Sequence, residues 1–212
     1  MLIAAIDVGL VNLGFILAHV SDEIFEIEQI YLAQRIDLTI FLHQRVSKKD
    51  CKLHHSRDAC DRVQHFLQEY QPYFEEASVV LIERQPITGL THVEQLIYHC
   101  FRDKAILCSP TKMHTVLGMT RGDYDKRKEE SIALAAPYLR DLEAWELYAD
   151  RRHDISDAMC LILFWTRLQQ EEKRRIEEQQ ERNAAVEKSL GTSVDTFFEQ
   201  FRCPSVHPDL KS

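Results

Sequence analysis

Residues 151–158 read Arg-Arg-His-Asp-Ile-Ser-Asp-Ala, and apolar residues recur from Ala158 onward at steps of three, four and seven. This spacing predicts an amphipathic helix that begins here, with Asp154 as its N-cap or in its first turn. Asp154 and Asp157 are three residues apart, so their carboxylates share one helical face and repel each other unless a cation lies between them. The alternative is an acidic first turn that only complements the helix dipole.

Two other acidic residues each end an apolar run. Residues 2–6 and 79–82 are continuous apolar stretches, typical of strands buried on both faces of a sheet, and Asp7 and Glu83 follow them. If these strands are neighbours, the two acids lie about 5 Å apart, which is the spacing between strands. Strand ends are also where α/β proteins build their sites.

Together with Asp154 and Asp157, these residues make four carboxylates that converge in one place. Such a group is very costly without cations, whereas two divalent ions about 4 Å apart would satisfy it. A site of this kind suits in-line attack of water on a phosphodiester. Ligands that are all oxygen favour Mg²⁺ or Mn²⁺ over zinc, so the sequence predicts two such ions.

The rest of the chain alternates strands and helices. The predicted elements are a strand over 15–20, an exposed strand over 24–32, a helix over 57–70 ended by Pro72, a helix over 93–101, a strand over 105–108, a loop through Gly118 and Gly122, a helix from Lys126 kinked or shortened by Pro137, and a charged helix over 169–187 ended by Gly191. A tail with Phe197, Phe198 and Phe201 follows. We therefore predict two domains, 1–168 and 169–212, with the tail as a docking helix or a site for a protein partner.

Composition limits the function. The 212 residues carry a net charge of −8, which disfavours binding of nucleic acid through bulk charge but allows a local basic patch. No apolar run approaches the ~20 residues of a membrane span, and no basic region begins a signal peptide. Six cysteines without a C-x-x-C pair, three of them (Cys60, Cys100 and Cys160) predicted on apolar helix faces, indicate buried thiols in a reducing compartment. A zinc site from Cys51, His54 and His55 is the alternative, although it lacks a second ligand pair.

The acidic motifs form an ordered set: Asp7-x-Gly9 before a hairpin, a strand ending in Glu83, then His153-Asp154-x-x-Asp157-Ala158. Over residues 1–168 this set resembles the RuvC branch of the RNase H-like superfamily. Within that branch it is most similar to the Holliday junction resolvases of poxviruses and related large DNA viruses, and to their mitochondrial and bacterial relatives.

The resemblance implies an α/β fold with a five-stranded mixed sheet, three antiparallel strands followed by parallel ones, flanked by helices. It also implies a homodimer that makes paired symmetric nicks in four-way DNA junctions inside the cell, in cytoplasm, nucleus or virus factory. Asp7, Glu83, Asp154 and Asp157 would be its metal ligands. The dimer contact would come from the helix around Leu96, Ile97 and Phe101, or from the Phe197 tail.

Basic residues complete the predicted site. Relatives place a basic residue near the scissile phosphate, for which Lys112, Lys126 and Lys128 are candidates and Lys128 is favoured by its place on the helix before the last motif. His153 is a general base or metal ligand, a phosphate contact, or a plain neighbour of the cap. The predicted DNA contacts are Lys48, Lys49, Lys52, Arg57, Lys126, Arg127, Arg151 and Arg152, with an ordinary solvated loop as the alternative for the first four.

Three other functions compete with this interpretation. Asp7-Val8-Gly9 with Gly14 also resembles the phosphate loop of actin-like and sugar-kinase folds, but the duplicated domain and the Gly-Gly loop of those folds are missing. A non-catalytic DNA-binding relative would lose an acid, and all four are present. The third alternative keeps the chemistry and changes the substrate to other branched DNA or to RNA–DNA hybrids, because the surface around a site sets its substrate.

Overall fold

The computed structural model describes the backbone of residues 1–39, 52–120 and 122–200, and side chains within these ranges as far as residue 186. Several predictions fall outside these residues. They concern Lys48, Lys49, Cys51 and the side chains of Phe197, Phe198 and Phe201.

Five strands form one mixed sheet. They are β1 (Leu2–Asp7), β2 (Leu13–Val20), β3 (Ile27–Ile36), β4 (Val79–Glu83) and β5 (Ala105–Cys108), in the spatial order β3-β2-β1-β4-β5. The pairs β3–β2 and β2–β1 are antiparallel, whereas β1–β4 and β4–β5 are parallel. The predicted sheet of three antiparallel strands followed by parallel ones is confirmed.

Helices cover both faces of this sheet. They are α1 (Ala59–Glu69), α2 (Gln71–Glu76), α3 (Thr91–Cys100), α4 (Pro110–Leu117), α5 (Tyr124–Leu139), α6 (Glu143–Leu147) and α7 (Arg152–Gln200). Side chains of β1 alternate between the faces, as the two-residue period of a strand requires. Ile3 and Ala5 pack with residues of α5 and α7, whereas Ala4 and Ile6 pack with residues of α1, α2 and α3.

The third strand begins later than predicted. It starts at Ile27 and runs to Ile36, because residues 21–26 form a turn in which the Ser21 N–H donates to the Glu26 carbonyl at 2.9 Å. Phe25 has a φ of 53°, which no strand accommodates. The apolar residues of this turn have the spacing expected of a strand, which explains the earlier predicted start.

Two proline signals were misread. Pro72 does not simply end α1, because it occupies the first turn of the short helix α2, where a missing N–H costs nothing. The predicted loop after β5 is wrong as well: residues 110–117 form α4, with Pro110 at its start and the Ser109 side chain accepting from the Lys112 N–H. Gly118, at a φ of 74°, ends that helix.

The helix α5 begins at Tyr124, because the Asp123 carboxylate caps it by accepting the Lys126 N–H at 3.1 Å. Pro137 lies inside its last turn, and the helix continues to Leu139. The proline therefore does not stop the helix at once, and the predicted kink stays a prediction.

Gly191 does not end the charged helix, since α7 continues to Gln200. The chain divides into a unit at Met1–Gln169 and a second unit from Gln170 onward. All side chains of residues 170–186 are exposed, as expected for a stretch with almost no apolar face.

Burial bears on two predictions about surfaces. Ile97 is fully buried in the core of its own chain and is not available for a dimer contact, while Leu96 and Phe101 are half-buried. The predicted dimer helix stays a prediction. Cys60 and Cys100 are exposed rather than buried, although Cys108 and Cys160 are buried free thiols. No helix in the described part of the chain is long and apolar enough to cross a membrane.

Candidate active site

The two strand-end acids reach the same face of the sheet. In the parallel pair β1–β4, Ile6 lies opposite Ile82, so Asp7 and Glu83 follow at the same level. The two-residue period puts Asp7 on the side of Ile3 and Ala5, which is the side covered by α7. The carboxylates therefore point between the sheet and this helix.

A glycine allows α7 to come this close. Gly14 pairs with Asp7 across β1 and β2, and a Cβ at Gly14 would overlap the carbonyl oxygen of Asp154 and lie 3.2 Å from the Ala158 Cβ. Only a residue without a side chain permits the first turn of α7 to pack on the strand here. This close approach sets Asp157 next to Asp7.

Three of the four predicted acids line one cavity of about 200 Å³. Asp7, Glu83 and Asp157 form its acidic wall. The other lining residues are Met113, His114, Met119, Tyr124, Arg127, Lys128 and Leu161.

The environment of these carboxylates resists their ionisation. Burial raises the pKa of Asp7 well above its ordinary value, and the charges of Glu83 and Asp157 add to the effect. Burial also raises the pKa of Glu83, and it raises that of Asp157 to about 7, while Lys128 opposes the shift at Asp157. Carboxyl groups whose ionised forms are destabilised in this way form a site that a cation would stabilise.

Asp154 has a different environment from its neighbour Asp157. Its buried carboxylate accepts from Arg151 Nε at 2.7 Å and from Arg151 Nη2 at 3.1 Å. His153 Nε2 lies 3.2 Å from Asp154 Oδ1, and burial lowers the pKa of His153. Asp154 is still close enough to raise the pKa of both Asp7 and Asp157. Asp154 therefore lies near the three acids of the cavity, while its own charge is paired with Arg151.

The carboxyl groups of the cavity are suitable ligands for a hard divalent cation. Three carboxyls converge, and every ligand atom they offer is oxygen, which Mg²⁺ and Mn²⁺ prefer. Within the described ranges, no three His, Cys, Asp or Glu side chains already stand in positions that hold a metal ion. Side-chain rotation would therefore accompany binding.

The predicted basic residues separate into two groups. Lys128 and Arg127 line the cavity, and Lys128 Nζ lies 4.3 Å from the centroid of the Tyr124 ring. Lys126 and Lys112 are exposed and outside the cavity wall, as are Lys52 and Arg57. Arg152 is engaged elsewhere, since its Nε donates to the Trp145 carbonyl at 2.9 Å and its Nη2 to Glu146 at 3.0 Å.

The sequence analysis missed three residues of the site. His114 was assigned to a loop, so its place on a helix facing the acids went unseen. Tyr124 is four residues before Lys128, a helical spacing that would have revealed their shared face. Gln85, two residues after Glu83, donates from Nε2 to Glu83 Oε2 at 2.6 Å, and residues two apart on an extended chain share a side.

The proposed zinc ligands cannot all be compared. Cys51 lies outside the described residues. The His55 and His65 rings lie 4.8 Å apart at a tilt of 54°, and His65 Nε2 lies 3.1 Å from the His54 carbonyl oxygen. The zinc site stays a prediction.

Comparison with known proteins gives a family and a fold. The model of the Poxvirus A22 protein family matches residues 1–170. The fowlpox virus resolvase in complex with Holliday junction DNA is similar at a TM-score of 0.56 and 18% identity, covering 78% of this chain and 97% of that one. The fowlpox virus Holliday junction resolvase alone gives 0.55 and 18%, over 78% and 98%.

A third solved structure, Thermus thermophilus RuvC, has a TM-score of 0.49 and 16% identity, over 80% and 98% of the two chains. No curated protein sequence matches the chain. The fowlpox likenesses confirm the predicted fold class, an α/β fold shared with a Holliday junction resolvase.

Proposed function

Because this chain belongs to the Poxvirus A22 protein family, we propose that it is a metal-dependent endonuclease that resolves four-way DNA junctions. One observation carries the proposal. Three carboxylates, from Asp7, Glu83 and Asp157, meet Lys128 in a single cavity at the strand ends of a resolvase fold. The fowlpox protein of the same fold was solved with Holliday junction DNA, which supports the choice of substrate.

Asp7, Glu83 and Asp157 would hold Mg²⁺ or Mn²⁺, with two ions per site, and Asp154 would complete the ligand set by turning from Arg151. Such ions supply Lewis-acid activation of the attacking water and stabilise charge on the leaving 3′ oxygen. They would also favour the ionised forms of these acids against the burial and mutual repulsion that raise the pKa values of Asp7 and Asp157.

The basic residues of the cavity bind the phosphate in this proposal. The Lys128 ammonium, placed over the Tyr124 ring, faces the scissile phosphate and stabilises the charge that develops on it. Arg127 contacts the same strand. His153 is held beside Asp154, and its lowered pKa keeps the imidazole neutral near pH 7, as a proton acceptor requires.

Two copies of the chain would act together. A four-way junction has two-fold symmetry, and two nicks must fall at equivalent phosphates. A homodimer with C2 symmetry provides one site for each nick. The protein would work in the reducing interior of an infected cell, in cytoplasm or nucleus, where its buried thiols of Cys108 and Cys160 stay free.

Four labelled substrates test this function. A mobile four-way junction, a flap, an RNA–DNA hybrid and a plain duplex are incubated with the full chain in Mg²⁺ or in EDTA. We expect paired nicks in the junction, only with Mg²⁺. Preference for the flap or the hybrid would select the alternative substrates. Binding without cleavage of any of the four would select the non-catalytic relative.

A further inference from the structure

We propose that Gln85 is a positioning residue that holds one carboxylate oxygen of Glu83, so that Glu83 presents its other oxygen to a divalent cation. This inference rests on the proposed function, because it concerns the same cation site. Gln85 follows β4 at the start of the loop into α3, and its side chain is half-buried.

The hydrogen bonds of the Gln85 side chain determine the direction of its amide. The Leu90 N–H donates to Gln85 Oε1 at 3.3 Å, and a backbone N–H can only donate, so the amide oxygen must face Leu90. The amide nitrogen therefore faces Glu83, where it donates to Oε2 at 2.6 Å. Because an amide nitrogen cannot accept, Glu83 Oε2 is the accepting oxygen of this pair and carries no proton.

The loop around Gln85 is anchored on a buried acid. The Gln85 backbone N–H donates to Glu94 Oε2 at 2.5 Å, and Glu94 is only 3% exposed. Its other oxygen, Oε1, accepts from Gln95 Nε2 at 2.7 Å. Glu94 thus ties the start of the loop to α3 and leaves the Gln85 amide little freedom.

A tight turn closes over the same amide. The Gly89 N–H donates to the Pro86 carbonyl at 2.8 Å, and a Cβ at Gly89 would lie 3.0 Å from Gln85 Oε1. The turn and the Leu90 N–H together fix the amide oxygen. Because other contacts fix its own amide, Gln85 can hold the Glu83 carboxylate in one orientation.

An oriented carboxylate binds a cation more tightly than a rotating one. Partners that hold metal ligands in place are worth 10–100-fold in metal affinity. Once Oε2 is committed to Gln85, the geometry points to binding through Oε1 alone. A methionine at position 85 keeps a similar length and lacks both the donor and the acceptor.

The test measures Mn²⁺ binding to the full chain without DNA, by electron paramagnetic resonance of the free ion, for wild type and Gln85→Met. We expect the Mn²⁺ dissociation constant to rise about 10–100-fold. In parallel, junction cleavage should need more Mg²⁺ for half-maximal rate, and saturating Mg²⁺ should recover most of the maximal rate. Gln64→Met is the matched control: it makes the same change at an exposed glutamine of α1, outside the cavity wall, and both quantities should stay at wild-type values.

A double-mutant cycle separates orientation from a general loss of structure. In a Glu83→Gln background, Gln85→Met should have little further effect on Mn²⁺ binding, because the carboxylate it orients is gone. An equal loss in both backgrounds, or no loss in the single variant, would overturn the inference while leaving the proposed function intact. A wild-type chain that neither binds Mn²⁺ nor cuts junctions would overturn both.

Discussion

Asp154 and Asp157 lie three residues apart on α7 and meet opposite conditions. Arg151 donates two hydrogen bonds to the Asp154 carboxylate, so its charge is balanced. Asp157 faces Asp7 and Glu83 in a partly buried cavity, where burial and charge raise its pKa to about 7. Two carboxylates on the same face of one helix therefore have different electrostatic environments. The two residues should respond differently to mutation.

Metal-free protein should lose stability as pH rises because of Asp157. Its pKa rises from 3.8 to about 7 on folding, so the folded chain retains a proton that the unfolded chain releases between these values. The free energy of unfolding then falls by up to about 1.4 kcal/mol for each pH unit in this window. Asp157→Asn should remove that part of the slope in urea denaturation with EDTA at pH 4 to 8.

Two variants control this prediction. Asp141→Asn, at an exposed carboxylate, should keep the wild-type slope. Asp154→Asn should lower stability by roughly 1–3 kcal/mol at pH 8, because it weakens the bonds from Arg151. If Asp157→Asn were as pH-sensitive as wild type, the shifted pKa would belong to another residue.

Lys128 should act on the reaction more than on binding. Lys128→Met should lower single-turnover cleavage of a junction in Mg²⁺ by about 10²–10³-fold, because a charge aimed at the developing anion is lost. The dissociation constant for DNA should change less than tenfold. Lys112→Met changes an exposed lysine outside the cavity and should cleave normally. The reverse pattern would assign the role to Lys112.

At the scale of secondary-structure elements, the packing of α7 on the sheet determines the geometry of the site. Gly14→Ala should push the first turn of α7 off β2, because the new methyl group would overlap the Asp154 carbonyl. We expect a loss of cleavage greater than tenfold together with a lower melting temperature.

Gly118→Ala is the matched control for this change. It strains a left-handed cap at a φ of 74° and costs about 1 kcal/mol, but it leaves the first turn of α7 in place. Its cleavage rate should stay near wild type at a temperature where both are folded. Normal cleavage by Gly14→Ala would show that the close approach is not needed.

Elements with long uninterrupted patterns were predictable from sequence. The central strands β1 and β4 and the start of α7 follow from apolar runs and helical spacing. The helix α4 was missed because Ser109-Pro110 was taken as a stop, although proline also begins helices. The start of β3 was missed because Ile24 and Phe25 belong to a turn whose backbone the sequence does not announce.

The acids of the site were predictable, whereas their partners were not. Each acid ends a strand or opens a helix, which local pattern reveals. The spacing of three between Arg151 and Asp154 and of two between Glu83 and Gln85 allows these pairs to meet, but side-chain rotation decides whether they form the hydrogen bonds. His114 enters the cavity only through the packing of α4.

At the scale of the whole molecule, an acidic chain must concentrate its positive charge to bind DNA. Lys126 is exposed at the start of α5, close in sequence to the cavity residues Arg127 and Lys128, whereas Arg140 follows the far end of that helix. Lys126→Ala should lower the salt slope of junction binding by about 0.9, as one lost phosphate contact does, and Arg140→Ala should not. Equal slopes in wild type and Lys126→Ala would move the DNA path elsewhere.

The central claim is that the carboxylates at the strand ends hold the cations which cut the junction. Cleavage of a labelled four-way junction by the Asp7→Asn variant, at saturating Mg²⁺ and beside wild type, tests it most directly. The account predicts a loss of several orders of magnitude with junction binding retained, because Asn keeps the shape of Asp7 but replaces one accepting oxygen with an amide nitrogen and removes the charge. Cleavage at the wild-type rate by Asp7→Asn would contradict the account.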